Sequence, residues 1–334
     1  MKLHRLAAAA AAAVMLTGCG GEQQTSQYTM FAMDTCVTLS GCCDRQTLEN
    51  AGKEITRLEK LWSVNIKGSD IYRLDHEGSA KLSDETAELL RYSLSISERT
   101  DGALDPTVFP LLKEWGFTTD EHHVPDSERI SELLKNTGWQ RLKLDGNRAS
   151  LPEGMAVDTG AVAKGYAADI IAEKLRADGV SAGIIDLGGN VLTFGEKPDG
   201  SSWKISVRDP FGKGTAGTLS LGECSVVTSG SYERCFEQDG IRYHHIIDPA
   251  TGRPADSGLE SVTVIADESR LCDALSTALF VMGEDKAFDF WRESRDFEMI
   301  MITSDKRLLI SEGIADKFEQ SRKGTSYTAE VISR

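Results

Sequence analysis

"AVAKGYAADIIAEKLRADG", residues 161–179, runs into "SAGIIDLGG", residues 181–189, and this pair decides the fold. The first reads as a helix stopped at Gly179, a residue that ends helices readily in the left-handed conformation. The second is a short apolar strand ending on two glycines, where backbone can come close to a ligand. Upstream, "LENAGKEITRLEKLW" sets Leu48, Ala51, Ile55, Leu58, Leu61 and Trp62 near one stripe at helical spacing. "DETAELLRYSLSISERT" reads as another helix, capped near Ser83 or Asp84. Downstream, "DALSTALFVMGEDKAFDFW" holds a fourth helix and a fifth beyond a division at Gly283. Between the last two long helices lie "WKISVRD", "GTLSL", "CSVVTSG" and "IRYHHIID", and further on come "ESVTVIA" and "EMIMIT", all strand-like. Strands clustered in the middle and flanked by helices predict an α+β fold: a single domain with a central mixed or mostly antiparallel sheet. No proline- or glycine-rich linker divides the chain, so one catalytic domain is expected over 28–315, with a C-terminal tail over 316–334.

The amino terminus predicts export. Lys2 and Arg5 precede an apolar run from Ala7 to Leu16, the layout of a signal segment and too short to span a bilayer as a helix. "LTGC", Leu16 to Cys19, resembles the lipobox of bacterial lipoproteins, which implies cleavage after residue 18, lipid on Cys19, and a short polar tether over 19–27. Such a protein would be anchored in the cell membrane and face the extracytoplasmic side. The net charge of −15 argues against a nucleic-acid partner, since phosphates would be repelled. Any anionic ligand needs a metal ion or a local cationic pocket. Six cysteines remain after Cys19 without metal-site spacing; in an exported protein they permit disulfides, with fifteen possible pairings.

Four polar constellations are candidates for chemistry. In "DTGAVAKGYAAD", Asp158 is expected where a strand gives way to a helix, with Lys164 in the first turn; the pair makes a local anion site, or Asp158 simply caps the helix. "DLGGN" (186–190) and "TSG" (228–230) end strands on small residues, which suits either a shared cleft or separate turns. Asp273 and Thr277 stand four apart on one helix face and offer hard oxygen donors, fitting magnesium better than zinc; Asp273 as an N-cap is the alternative. "HHIIDPATGRPA" (244–255) puts His245 beside a sharp turn formed from Asp248 onward, with His244 facing the other way. Asp248 stands near enough in sequence to act in place of His245.

"FAMDT", "GALDPTVFPLLKEWGF", "DTGAVAKGYAAD", "DLGGN", "TSGSYE", "HHIIDPATGRPA" and "DALSTALFVMG" together resemble, in order and separation, the motifs of the ApbE family of FAD:protein FMN transferases, over about residues 30–312. The resemblance implies a magnesium-dependent enzyme that places FMN from FAD on a threonine or serine hydroxyl of an exported acceptor protein and releases AMP. It assigns Asp273, Thr277 and the backbone carbonyl of Ala161 to the magnesium ion. Met33, Ala103, Leu104, Asp105, Asp158, Lys164, Ser229 and Ile247 are assigned to FAD, and His245 becomes the catalytic base. Two departures stand out: Asp34 replaces a usual glycine, and Val64 a frequent aromatic. They bear on the balance between transfer to protein and hydrolysis of FAD by water. A non-catalytic FAD-binding lipoprotein is the remaining alternative.

Overall fold

The computed structural model describes residues 25–119 and 121–334; the signal segment and Cys19 lie outside them. A nine-stranded sheet carries the fold, and its spatial order is its chain order: β1 (Ser26–Ala32), β2 (Thr35–Gly41), β3 (Gly183–Leu187), β4 (Asn190–Phe194), β5 (Cys224–Gly230), β6 (Leu259–Ala266), β7 (Glu298–Thr303), β8 (Arg307–Ser311) and β9 (Thr328–Ile332). Neighbours pair antiparallel except β8 with β9, which run parallel. The sheet is therefore mixed, as the sequence predicts. Residues 316–334 are not a tail: β9 closes one sheet edge, and Phe318–Gln320 pairs with Thr215–Leu221. At the other edge β1 begins at Ser26, inside the stretch expected as tether.

Four long helices are α1 (Arg45–Trp62), α2 (Asp84–Arg99), α3 (Ala163–Ala177) and α4 (Ser269–Glu293). Asp44 caps α1 by accepting from Thr47 N, and Ser83 caps α2 by accepting from Thr86 N, which satisfies free amides of each first turn. Gly179 takes φ +84° just beyond α3. Gly283 breaks α4 at φ 76° and ψ 176°, the division expected from the sequence. Three of these helices line one face of the sheet: α1 packs on β1 and β2, α3 on β3 and β4, and α4 on β5 and β6. Leu48, Ile55, Leu58, Ile171, Leu175, Leu275 and Leu279 are fully enclosed there. A three-stranded sheet, including Trp203–Arg208, contributes Ile205, Val207 and Leu219 to a second core with Val226 and Ile300.

The antiparallel registers gather one end of the sheet. The Met33–Asp34 turn, Leu187 at the end of β3, Asn190 at the start of β4, Ser229 near the end of β5 and Leu259 at the start of β6 all fall there. From β5 the chain enters two small hairpins before returning as β6: Cys235–Gln238 with Ile241–His244, and Ile247–Asp248 with Arg253–Pro254. "IRYHHIID" is thus two strands parted at His245. Beneath the hairpins sits a small separate core of Leu111, Trp115, Phe117, Ile130 and Leu133. Among the described residues no helix is long and apolar enough to cross a membrane, and the six described cysteines are unpaired.

Candidate active site

The site is built where α3 and α4 touch. A Cβ on Gly165 would lie 2.3 Å from Ser269 O and 2.7 Å from the Asp273 Cβ, so only glycine permits this approach. The closeness lets Gly165 N donate to Asp273 Oδ2 at 2.8 Å. Asp273 is therefore inside α4, four residues past its start, and is not a cap. Its second oxygen, Oδ1, faces Lys164 Nζ at 3.5 Å, while Lys164 also donates to Gly160 O at 3.2 Å. Burial pushes the Asp273 carboxyl up, and Lys164 and the Gly165 amide pull it back only in part. Gly165→Ala is expected to destabilise the protein by about 1–3 kcal/mol through overpacking; an unchanged melting temperature would contradict the close crossing.

One turn along α4, Thr277 Oγ1 lies 3.1 Å from Ser229 Oγ, which also lies 2.8 Å from Ser276 Oγ. The end of β5 thereby docks on the helix that carries Asp273. Ala161 is half-buried two residues ahead of α3. The Asp273 oxygen that faces Lys164, the Thr277 hydroxyl and the Ala161 carbonyl are all hard oxygens. Such a set suits magnesium, which keeps water and phosphate in most of its coordination sphere. Among the described residues no group of three or more His, Cys, Asp or Glu gathers as a metal cage.

Asp158 lies in an irregular segment, residues 151–162, and not at the end of a strand. Nor does it cap α3, whose preceding residue Val162 makes no side-chain cap bond. Its amide donates to Pro106 O at 2.7 Å and its Oδ1 accepts from Gly160 N at 3.0 Å. Burial raises its pKa; Arg234 and Lys164 oppose this and Asp34 adds to it. Sequence reasoning missed Asp75, whose Oδ1 accepts from Val157 N at 2.8 Å and whose Oδ2 is buried without a partner. Burial, followed by the charge of Asp158, lifts Asp75 to about 7. Met33 and Asp34 take left-handed φ of 51° and 57°, and Glu59 Oε1 accepts from Met33 N at 2.7 Å. The charge of Asp34 therefore bears on this site, whereas Val64 packs against a core with Ile71 and Leu74.

Three of the expected FAD contacts have their side chains committed elsewhere. Asp105 caps the short helix Pro106–Val108, with Oδ1 accepting from Thr107 N at 2.7 Å and Oδ2 from Trp139 N at 3.0 Å. Leu104 is buried in the main core, and Ile247 is only 5% exposed among Leu111, Trp115 and Phe117. Ala103 is half-buried against the main core.

His245 stands at the junction of the two hairpins, its amide donating to Arg234 O at 2.9 Å and its ring edge-on to Phe117. Its Nδ1 is buried without a hydrogen-bond partner. Burial first, then the charges of Arg234, His244 and Lys164, push its pKa down to about 3, so the ring is neutral at pH 7 and keeps a lone pair for a proton. His244 is different: its Nε2 lies 3.2 Å from Ala255 O and its ring meets Phe280 edge-on at 5.3 Å. Asp248 is used up by its own turn, accepting from Ala250 N and Thr251 Oγ1, both at 2.9 Å. The turn is pinned to the small core by Trp115 Nε1 donating to Gly252 O at 2.9 Å.

A neutral base, a buried carboxylate with hard oxygen neighbours and a lysine beside it are the parts needed for attack of a hydroxyl on a phosphate. Comparison with known proteins agrees. The model of the ApbE family matches residues 33–301. The FAD:protein FMN transferase of Treponema pallidum (strain Nichols) is 36% identical over 291 residues, covering 81% of this chain and 80% of that protein. That of Klebsiella pneumoniae (strain 342) is 37% identical over 265 residues, covering 77% and 82%. Among solved structures, the ApbE protein of Thermotoga maritima superposes with a TM-score of 0.79 at 35% identity, covering 90% of this chain and 97% of its own. The flavin transferase ApbE of Vibrio cholerae gives 0.76 at 26% identity, covering 89% and 96%. The architecture is thus that of the flavin transferases. The chain belongs to the ApbE family.

Proposed function

We propose that this chain is an FAD:protein FMN transferase that uses magnesium and modifies a threonine or serine hydroxyl on an exported acceptor protein. The observation that carries the reading is the Asp273 carboxylate, fixed by Gly165 N at 2.8 Å and faced by Lys164 at 3.5 Å, with Thr277 one turn away. In the reaction the acceptor oxygen forms a bond to the FMN phosphorus. The bond to the bridging oxygen of the diphosphate breaks, and AMP leaves with that electron pair. His245 accepts the hydroxyl proton as the new bond forms. Lys164 offsets charge on the phosphate oxygens. Bound magnesium, held by Asp273, Thr277 and the Ala161 carbonyl, would supply further charge stabilisation to those oxygens. Met33 and Ser229, at the same sheet end, and Asp158, in the irregular segment before α3, would contact FAD, with Ala103, Leu104, Asp105 and Ile247 available through backbone.

Removal of divalent metal by a chelator is expected to stop AMP release from FAD, and added magnesium to restore it. FAD left intact with magnesium and acceptor both present would favour a binding module. The lipobox reading adds a location, an anchor at the membrane on the extracytoplasmic side. Cys19→Ser is expected to move the protein from the membrane fraction to the soluble or precursor fraction. Continued tight membrane association of that variant would remove the anchor from the account.

A further inference from the structure

The hairpin that carries His245 carries a second charged group beside it. Cys235 pairs with His244, and His245 N donates to Arg234 O at 2.9 Å, which makes Arg234 the residue opposite His245. Directly opposed residues of an antiparallel pair send their side chains to the same face, with Cβ atoms about 4.5–5.5 Å apart. The guanidinium therefore rises on the His245 side, and its charge bears on both His245 and Asp158.

Arg234 is also unspent. Nearby cations are engaged: Arg208 with Glu233 at 3.2 Å, Arg242 with Glu260 at 2.7 Å, and Lys164 with Asp273 at 3.5 Å. Arg234 is exposed and, among the described residues, makes no ion pair of this kind. Asp34 and Asp158 act on one another and Asp273 faces Lys164 in a chain of net charge −15, so a diphosphate bound here needs cations beside it. Lys164 alone, already shared between Asp273 and Gly160, is a thin counterweight. A guanidinium offers a planar fork of donors that matches two phosphate oxygens at once.

We infer that Arg234 is a second cationic ligand of the FAD diphosphate, gripping its non-bridging oxygens from the His245 side while Lys164 approaches from α3. The inference rests on the proposed use of FAD. It adds a residue that none of the sequence motifs singles out and assigns it to the phosphates, not to the acceptor protein. Bound between Arg234 and Lys164, the phosphorus would sit within reach of the neutral His245 ring and of an incoming hydroxyl.

The test uses the full chain with Arg234→Gln and Arg234→Lys. Three ligands are titrated: FAD, inorganic pyrophosphate as a competitor, and riboflavin, which lacks phosphate. Arg234→Gln is expected to weaken FAD and pyrophosphate about tenfold to a hundredfold, the range for losing hydrogen bonds to a charged group. Riboflavin affinity and the melting temperature should not change, and Arg234→Lys should recover part of the loss. Pyrophosphate and FAD affinities within twofold of the wild type would overturn the inference. So would a defect confined to the KM for the acceptor, or an equal loss for riboflavin. A wild-type chain that transfers flavin while Arg234→Gln keeps full FAD affinity overturns this inference alone; a wild-type chain that binds no FAD overturns the functional reading with it.

Discussion

Asp273→Asn is expected to lower flavin transfer about a thousandfold, because metal-assisted charge stabilisation is worth several kcal/mol and each 1.36 kcal/mol is a factor of ten. The substitution is chosen over alanine for a structural reason. Asparagine can still accept from Gly165 N, which Asp273 Oδ2 holds at 2.8 Å, so no buried amide is orphaned. Only the charge facing Lys164 is lost. Burial already raises the Asp273 carboxyl, meaning that its ionised form is disfavoured in the folded chain above the ordinary carboxylate pKa. Removing that charge should leave the melting temperature at neutral pH unchanged or higher. A folded Asp273→Asn protein with near-normal turnover in magnesium would mean that the carboxylate only ties α3 to α4.

His245→Ala should cut the rate by about a hundredfold to ten-thousandfold, the usual contribution of a general base, with far less effect on FAD affinity. His244→Ala should act through stability, since His244 Nε2 lies 3.2 Å from Ala255 O and its ring is buried against Phe280. The pH dependence separates this base from an ordinary histidine. Burial, Arg234, His244 and Lys164 lower the His245 pKa to about 3, so the ring remains neutral, and able to accept a proton, as pH falls through 6.5. The profile of kcat/KM, which reports the free enzyme, should therefore show no acid limb near 6.5 in the wild type. An ordinary histidine titrates near 6.5; the buried Nδ1 of His245, beside Phe117, changes that expectation. Equal losses in the two histidine variants, or an acid limb near 6.5 that His245→Ala abolishes, would contradict the assigned environment.

Local pattern carried the elements whose signals are local. Helical spacing locates α1 to α4, Gly283 marks the break in α4, and the fourfold spacing of Asp273 and Thr277 puts them on one face. Apolar runs locate β3, β5, β6 and β7, whereas β4 (Asn190–Phe194) follows the Gly188–Gly189 turn without a signal of its own. What sequence periodicity does not contain is pairing: the first two residues of β1 and the whole of β9 read as tether and tail until their partners β2 and β8 are known. The same limit explains the site. Asp75 is a polar position on a short helix, and nothing local marks its bond to Val157 N, 82 residues away. Arg234 acquires its place only through the register that sets it opposite His245. Asp158 is expected where a strand gives way to a helix, yet residues 151–157 have no strand partner and the Asp158 amide is held instead by Pro106 O. Ile247 lies in a motif that ends a strand beside the base, but its side chain is claimed by the small core under the hairpins.

The most direct measurement of the central claim is the intact mass of a threonine-bearing acceptor protein after incubation with this chain, FAD and magnesium, with the nucleotide products resolved in the same sample. The account predicts an acceptor heavier by one FMN phosphoester and one AMP released for each acceptor modified. FMN and AMP accumulating beside an unmodified acceptor would contradict it and make water the acceptor in this site.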